Sequence, residues 1–182
     1  WDHGRVPSAD LLVPLTLVVG DEELLAARAV SAVVAAARER TPDIEVRDLE
    51  GAEVQPGDLA EALSPSLFGD DRVVVVRAAQ DLAKEVVAEV TAYAADPVSE
   101  MQLVVVHAGG AKGKALVTAL LAAGARRVDV PKLTRPSERK DFVRGELRAS
   151  GRKVTDDAVA ALLDAVGTDL RELAAAASQL LA

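Results

Sequence analysis

The sequence predicts an α/β fold, a parallel five-stranded sheet followed by a small three-helix unit. Three observations carry the prediction. Short apolar runs alternate with stretches of helical periodicity from residue 15 to residue 131. The clearest run, Val73 to Val76, is apolar on consecutive residues, as a strand buried on both faces requires. After Pro131 the strand-like runs stop and only helical spacing remains. Strands that alternate with helices need crossover connections, and these imply parallel pairing with right-handed crossovers.

The elements follow in order. LTLVVG (15–20) is an apolar run closed by a glycine, the signature of a buried strand. Asp21 stands where it can cap the next helix, in which Leu24, Leu25, Ala29, Val33 and Ala36 share a face and Thr41-Pro42 ends the pattern. IEVRDLE (44–50) alternates as a strand, and PGDLAEAL (56–63) is a short helix with proline near its start. RVVVVRAA (72–79) is a strand, DLAKEVVAEVTAYAA (81–95) a helix and QLVVVHAG (102–109) a strand. KALVTALLAAGA (114–125) is a helix with Gly124 near its end, and RRVDVP (126–131) is the last strand. Beyond it, Phe142, Val143 and Leu147 fall on one helical face. Thr155 caps a helix that carries Val159, Leu162, Leu163 and Val166 and stops at Gly167. Asp169 opens a third helix with Leu170, Leu173, Ala174, Ala177 and Leu181 on one face. The expected division is a tail or remnant over 1–14, a sheet domain over 15–133 and a helical domain over 134–182.

Composition narrows the function. Half of the residues (50%) are hydrophobic and 27% are charged, so the chain buries a core and is not disordered. It has no cysteine, which excludes disulfides, thiolate metal sites and a cysteine nucleophile and fits a reducing cytoplasm. No apolar run reaches the ~20 residues of a spanning helix, so no membrane role is expected. The formal charge is −8, which opposes general binding to nucleic acid. Yet Lys112 to Lys153 holds 12 basic and 4 acidic residues, and the rest of the chain therefore carries −16. The basic stretch reads as solvated helix faces or as a surface for a polyanion or an acidic partner subunit. Lys140, Arg144 and Arg148, at i, i+4 and i+8, share one face of the first helix of the second unit.

A sheet of this plan with a helical appendage suggests nucleotide chemistry, and the motifs test that. A phosphate-binding loop needs G-x-x-x-x-G-K-[ST] after a strand. The first strand is followed instead by Gly20-Asp21-Glu22-Glu23, whose carboxylates repel phosphate. Gly109-Gly110-Ala111-Lys112-Gly113-Lys114-Ala115 resembles such a loop, but it is one residue short and ends in alanine. It reads as a basic turn that opens a helix. Paired acids for magnesium are missing after the third strand, which ends in Val76-Arg77-Ala78. Ser137 and Lys140 match S-x-x-K without the companion motifs. His3 lies in the tail and His107 ends a strand, where it is expected to be a satisfied hydrogen-bonding residue. No catalytic constellation, metal site or cofactor is expected. One stretch, SPSLFGDDRVVVV (64–76), is unusual for placing a leucine and one of two phenylalanines in a polar turn before a strand.

Three segments, LTLVVGDEELLAARAV (15–30), LSPSLFGDDRVVVVR (63–77) and AVGTDLRELAAAASQL (165–180), together resemble the delta subunit of the bacterial sliding-clamp loader, part of the DNA polymerase III holoenzyme. The resemblance runs from about Leu15 to the end of the chain. It implies an AAA+-like sheet domain without a working P-loop, a three-helix lid, and a collar domain that this chain lacks, as an N-terminal fragment would. It implies a subunit without ATPase activity of its own that binds and opens the sliding clamp for loading onto primed DNA. It places clamp contact at Leu67 and Phe68, with Ser66 and Pro65, and less strictly Ser64, on the flank. The implied partners are the clamp (beta subunit), the gamma/tau and delta prime loader subunits and, in the assembled loader, primed DNA. For the Lys140, Arg144 and Arg148 face the expectation is DNA or a neighbouring subunit. The fragment is expected to be cytoplasmic and monomeric. Two other readings stay open from the residues, a nucleotide-binding enzyme (small kinase or ATPase) that uses the Gly109–Lys114 turn, and a non-catalytic nucleic-acid-binding domain.

Overall fold

The structure is a computed structural model that describes residues 11–64, 71–148 and 154–181. The chain divides into two compact units, one ending at Pro131 and the other beginning at Lys132.

The first unit is built on five parallel strands, β1 (Leu15–Val19), β2 (Glu45–Glu50), β3 (Arg72–Arg77), β4 (Met101–His107) and β5 (Arg126–Asp129). Their spatial order is β2-β3-β4-β1-β5. The helices between them are α1 (Glu23–Arg40), α2 (Asp58–Ala62), α3 (Lys84–Ala95) and α4 (Lys114–Ala122). The order explains where the helices lie. The β1-to-β2 crossover runs across the sheet in the opposite direction from the other three, so crossovers of one hand put α1 on one face and α2, α3 and α4 on the other. The core accordingly has two halves. Val18, Val73, Val75 and Val104 meet Val30, Val33 and Ala37 of α1. Leu17, Val74, Val76, Leu103 and Val105 meet Val86 and Val90 of α3 and Leu116 and Leu120 of α4. Val73 to Val76 are all 0% exposed, and each such side chain contributes about 1.5–3 kcal/mol of apolar burial.

Helix α1 sits differently from the expected face. Its buried residues are Ala26, Val30, Val33, Ala36 and Ala37, while Leu24, Leu25 and Ala29 are only partly buried. The seam turns toward the alanines because small side chains let the helix backbone approach the sheet closely. The helix begins one residue later than the expected cap implies, with Glu22 rather than Asp21 at the N-cap and no side-chain cap bond from it. One helix of ~10 Å width also cannot cover five strands at ~4.8 Å spacing. A groove of about 580 Å³ therefore remains beside α1, floored by Val46 and Val75 and bordered by Val34, Arg38, Asp48 and Arg77.

The strands end earlier than the sequence suggests. β3 stops at Arg77 because Ala78 takes a left-handed conformation (φ 45°) and starts a short 3₁₀ turn, Ala79–Asp81. β4 stops at His107, before two glycines with positive φ.

The second unit contains α5 (Pro136–Arg148), α6 (Asp156–Val166) and α7 (Leu170–Leu181). Phe142, Val143 and Leu147 of α5, Val159 and Leu162 of α6 and Leu170, Leu173 and Ala177 of α7 are buried, the faces that the periodicity predicts. The caps are also as expected. Thr155 Oγ1 accepts from Ala158 N–H at 3.3 Å, and Asp169 Oδ1 accepts from the N–H groups of Arg171 and Glu172 at 2.9 and 3.0 Å. Among the described residues, no helix is long and apolar enough to cross a membrane.

Candidate functional site

Open α/β sheets bind ligands outside the carboxyl ends of the strands, at the point where the helices after adjacent strands leave on opposite faces. Here that point lies between β1 and β4, whose following helices are α1 and α4. Main chain stitches the crevice shut. Gly20 N–H donates to His107 C=O at 3.0 Å, and Glu22 N–H donates to Val130 C=O at 3.2 Å. On the same side Val130 N–H donates to Val19 C=O at 2.8 Å. The connection from β1 to α1 is only Gly20 to Glu22, whereas the phosphate-loop motif needs about eight residues. Gly20 is packed so closely that a Cβ there would lie 2.1 Å from Val130 O. Two N–H groups that could face a phosphate are thus already donated to carbonyls, and the local side chains Asp21, Glu22 and Glu23 are acidic.

The second loop-like segment, Gly109 to Lys114, is held from below. Gln80 Oε1 accepts from Ala108 N–H at 3.0 Å, and Lys112 forms an ion pair with Asp81 that holds the Asp81 carboxyl below its ordinary range. His107, fully buried, accepts from Gly109 N–H through Nδ1 at 2.9 Å. That bond leaves the ring proton on Nε2, which makes no hydrogen bond of ordinary geometry among the described residues, although the backbone of Lys112 and Gly113 lies close to the ring. The ring lies under Gly113, where a Cβ would meet Nε2 at 2.6 Å. Burial holds the imidazole below its ordinary pKa of 6.5, against the opposing pull of the nearby backbone and of Asp81. Arg77, at the position where a metal-binding acid was sought, forms a two-pronged pair with Asp48, with Nε and Nη2 at 2.8 and 2.9 Å from the carboxylate oxygens. Among the described residues, no group of three or more His, Asp or Glu side chains is arranged to hold a metal ion.

Pro65, Ser66, Leu67 and Phe68 lie outside the described residues. Both ends of their segment are described, and both are tied down. On the near side, Ser64 Oγ donates to Ala60 C=O at 2.6 Å. On the far side, the Asp71 carboxylate accepts from Arg40 Nη2 at 2.9 Å and Thr41 Oγ1 at 3.0 Å, at the end of α1. Arg72 joins the two sides. Its Nη1 donates to Ala62 C=O at 2.8 Å and Ser64 C=O at 3.2 Å, while its Nε donates to Glu45 Oε2 at 2.7 Å. Glu45 is also bonded by Arg47, and these two guanidinium groups, Arg47 first, lower its pKa. Sequence reasoning missed this set. Glu45 and Arg72 are 27 residues apart, and only the β2–β3 register, which makes them direct neighbours, brings them together.

The basic face of α5 is not uniform. Lys140 and Arg148 are exposed. Arg144 is turned inward to a pair of carboxylates, Asp141 at 2.7 Å and Asp156 at 2.6 Å, and so ties α5 to the start of α6. The pairing lowers the pKa of Asp156 and raises that of Arg144.

No protein-family model and no curated protein matches the chain. Solved structures do. The DNA clamp loader delta protein of Bacillus subtilis superposes with a TM-score of 0.68 at 18% identity, over 96% of this chain and 57% of that one. The Holliday junction branch migration motor RuvB of Thermotoga maritima superposes with a TM-score of 0.57 at 14% identity, over 90% of this chain and 53% of that one. A DNA polymerase III gamma subunit-related protein of Thermotoga maritima gives a TM-score of 0.56 at 11% identity, over 90% and 52%. The chain thus spans a little more than half the length of each. What the likeness shows is the fold, a five-stranded parallel sheet with helices.

Proposed function

We propose that this chain is the clamp-binding part of a clamp-loader delta subunit, a protein that binds and opens a sliding clamp and neither binds nor hydrolyses ATP. The observation that carries the reading is the likeness to the Bacillus subtilis clamp loader delta protein over 96% of the chain. RuvB and the gamma-related protein share the fold too, so the fold alone does not choose among them. The β1–α1 connection favours the delta reading over a motor. A three-residue connection in which Gly20 and Glu22 donate their N–H groups to carbonyls, among acidic side chains, makes a poor seat for a triphosphate.

In this reading Leu67 and Phe68, flanked by Pro65 and Ser66, enter an apolar pocket on the clamp. Two buried side chains at about 1.5–3 kcal/mol each have the magnitude of an interface hot spot. The other loader subunits, gamma/tau and delta prime, are the assembly partners, and the setting is the cytoplasm. Lys140 and Arg148 face a neighbouring subunit or primed DNA in the assembled loader, while Arg144 mainly braces its own unit.

Titration with the sliding clamp of the source organism, followed by titration with ATP and magnesium, tests the proposal. Clamp binding without nucleotide binding is expected. Micromolar ATP affinity that disappears on Lys114→Ala contradicts it and favours a nucleotide enzyme using the Gly109–Lys114 turn. Tight, salt-sensitive binding of duplex DNA by the chain alone, lost when Lys140 and Arg148 are replaced by alanine, favours a nucleic-acid-binding domain instead.

A further inference from the structure

We propose that three side chains on the α1 face of the sheet, Thr16, Gln102 and Arg126, form a binding site for one internal water molecule that ties the edge strand β5 to β1 and β4. The inference stands apart from the functional reading above.

The strand register brings the three together. Thr16 of β1 is the direct neighbour of Arg126 of β5. Leu15 pairs with Leu103, so Gln102 of β4 lies one step before that pair and diagonal to Thr16. Side chains alternate along a strand, and Leu15, Leu17, Met101, Leu103 and Ala125 belong to the half of the core that meets α3 and α4. Thr16, Gln102 and Arg126 are interleaved with them and so point to the α1 side, in step with Val18, Val104 and Val128. Direct neighbours stand ~4.8 Å apart and diagonal ones ~8 Å, distances that the long arms of Gln102 and Arg126 span.

Their polar ends are left over by the fold. Thr16 and Gln102 are each 2% exposed, and Arg126 is half-buried. Thr16 Oγ1, Gln102 Oε1 and Arg126 Nη1 are all shut off from solvent, and none makes a hydrogen bond among the described residues. Burying such an atom without a partner is costly, and more so for part of a guanidinium. Three of them at the same end of three adjacent strands call for one common partner.

The chemistry selects water. Arg126 Nη1 can only donate and Gln102 Oε1 can only accept, while the Thr16 hydroxyl does either. A molecule that accepts from Arg126 and donates to Gln102 and Thr16 closes the set with three bonds, the usual number for an internal water. An anion suits Arg126 but faces the Gln102 oxygen, which has no proton to offer. A metal cation suits the two oxygens but faces the guanidinium. The position gives the water a task as well. β5 is an edge strand of four residues, and its far end is held where Val130 N–H donates to Val19 C=O. The water fastens the near end.

Water-to-protein cross-relaxation in the native chain reads the site directly, and relaxation dispersion of the water deuterons counts long-lived waters. Cross-peaks from a long-lived water to Thr16 and Arg126 are expected, and the count should fall by one in Thr16→Val and in Gln102→Leu. Both variants should melt below the native protein, and the double variant no lower than the worse single one, because one lost water accounts for both. Amide exchange at Arg126 and Arg127 should quicken in each, while Val130 keeps its rate. Variants that melt higher than the native chain show two plain orphans whose removal helps, and overturn the proposal. Absence of a long-lived water beside Thr16 in the native chain overturns it too, and this result stands even if the variants fail to fold. A melting temperature that rises with chloride at fixed ionic strength, and only while Arg126 is present, assigns the site to an anion and contradicts water.

Discussion

Protonating His107 costs the folded protein more than the unfolded chain. The ring is fully buried, its Nδ1 accepts a bond from Gly109 N–H, and a second proton there destroys that bond. The nearby charges, Asp81 and its ion-pair partner Lys112, do not reverse the effect of burial, which keeps the folded pKa below 6.5. A group with a depressed folded pKa leaves stability level above its unfolded value and withdraws it as pH falls below that value. Melting temperature should therefore drop as pH falls from about 6.5, at a rate bounded by ~1.4 kcal/mol per pH unit for one proton. His107→Gln should flatten that part of the curve, and an equally steep fall in the variant would assign the loss to other groups. Residues of this kind were only partly legible in the sequence. Phe142, Val143 and Leu147 declared themselves by spacing, because a helix face repeats. Thr16 and Gln102 did not. Both are 2% exposed inside valine-rich strands, and their Oγ1 and Oε1 lack partners among the described residues, which no local pattern announces. Nor did Arg144, whose partner Asp156 lies 12 residues on, in the next helix.

At the scale of elements, the turn before α4 and the cap of α6 give two clean tests. Gly113 has φ 71°, and a Cβ on it would sit 2.6 Å from His107 Nε2 and 3.1 Å from Gln80 Cα. Gly113→Ala should cost at least ~2 kcal/mol by denaturant unfolding, from left-handed strain and from overpacking. Cost near zero would mean that the turn and the ring are not packed as described. Thr155→Ala removes the acceptor for Ala158 N–H and should cost ~1 kcal/mol, read from the unfolding of the helical unit. The elements themselves were legible because their signals are local, namely apolar runs, helical spacing, Pro42 and Gly167 as stops, Thr155 and Asp169 as starts. Their edges were less so. Ala78 in a left-handed conformation ends β3 early, and nothing about alanine predicts that. The seam of α1 slipped toward Ala26 and Ala37 because closeness to the sheet, rather than side-chain size, decided which face was buried.

For the whole molecule the relevant facts are the strand order and what fills the crevice it creates. Strand alternation made the parallel sheet legible, and the acidic turn at Gly20 to Glu23 already opposed a phosphate. The closure of the crevice by Gly20 N–H and His107 C=O was not legible, since it joins residues 87 positions apart through the register of β1 on β4. The chain on its own, at 19.0 kDa, is expected to scatter light as a monomer, and a concentration-dependent mass near twice that value would contradict this. The clamp-binding claim itself is tested most directly by an equilibrium titration of the sliding clamp with the native chain and with Leu67→Ala/Phe68→Ala, both checked for an unchanged melting temperature. Loss of two anchors of ~1.5–3 kcal/mol each predicts a drop in affinity on the order of a hundredfold or more in the variant, with the fold intact. A variant that keeps the native affinity, or one that loses it only because it unfolds, would contradict the account and return Leu67 and Phe68 to the core.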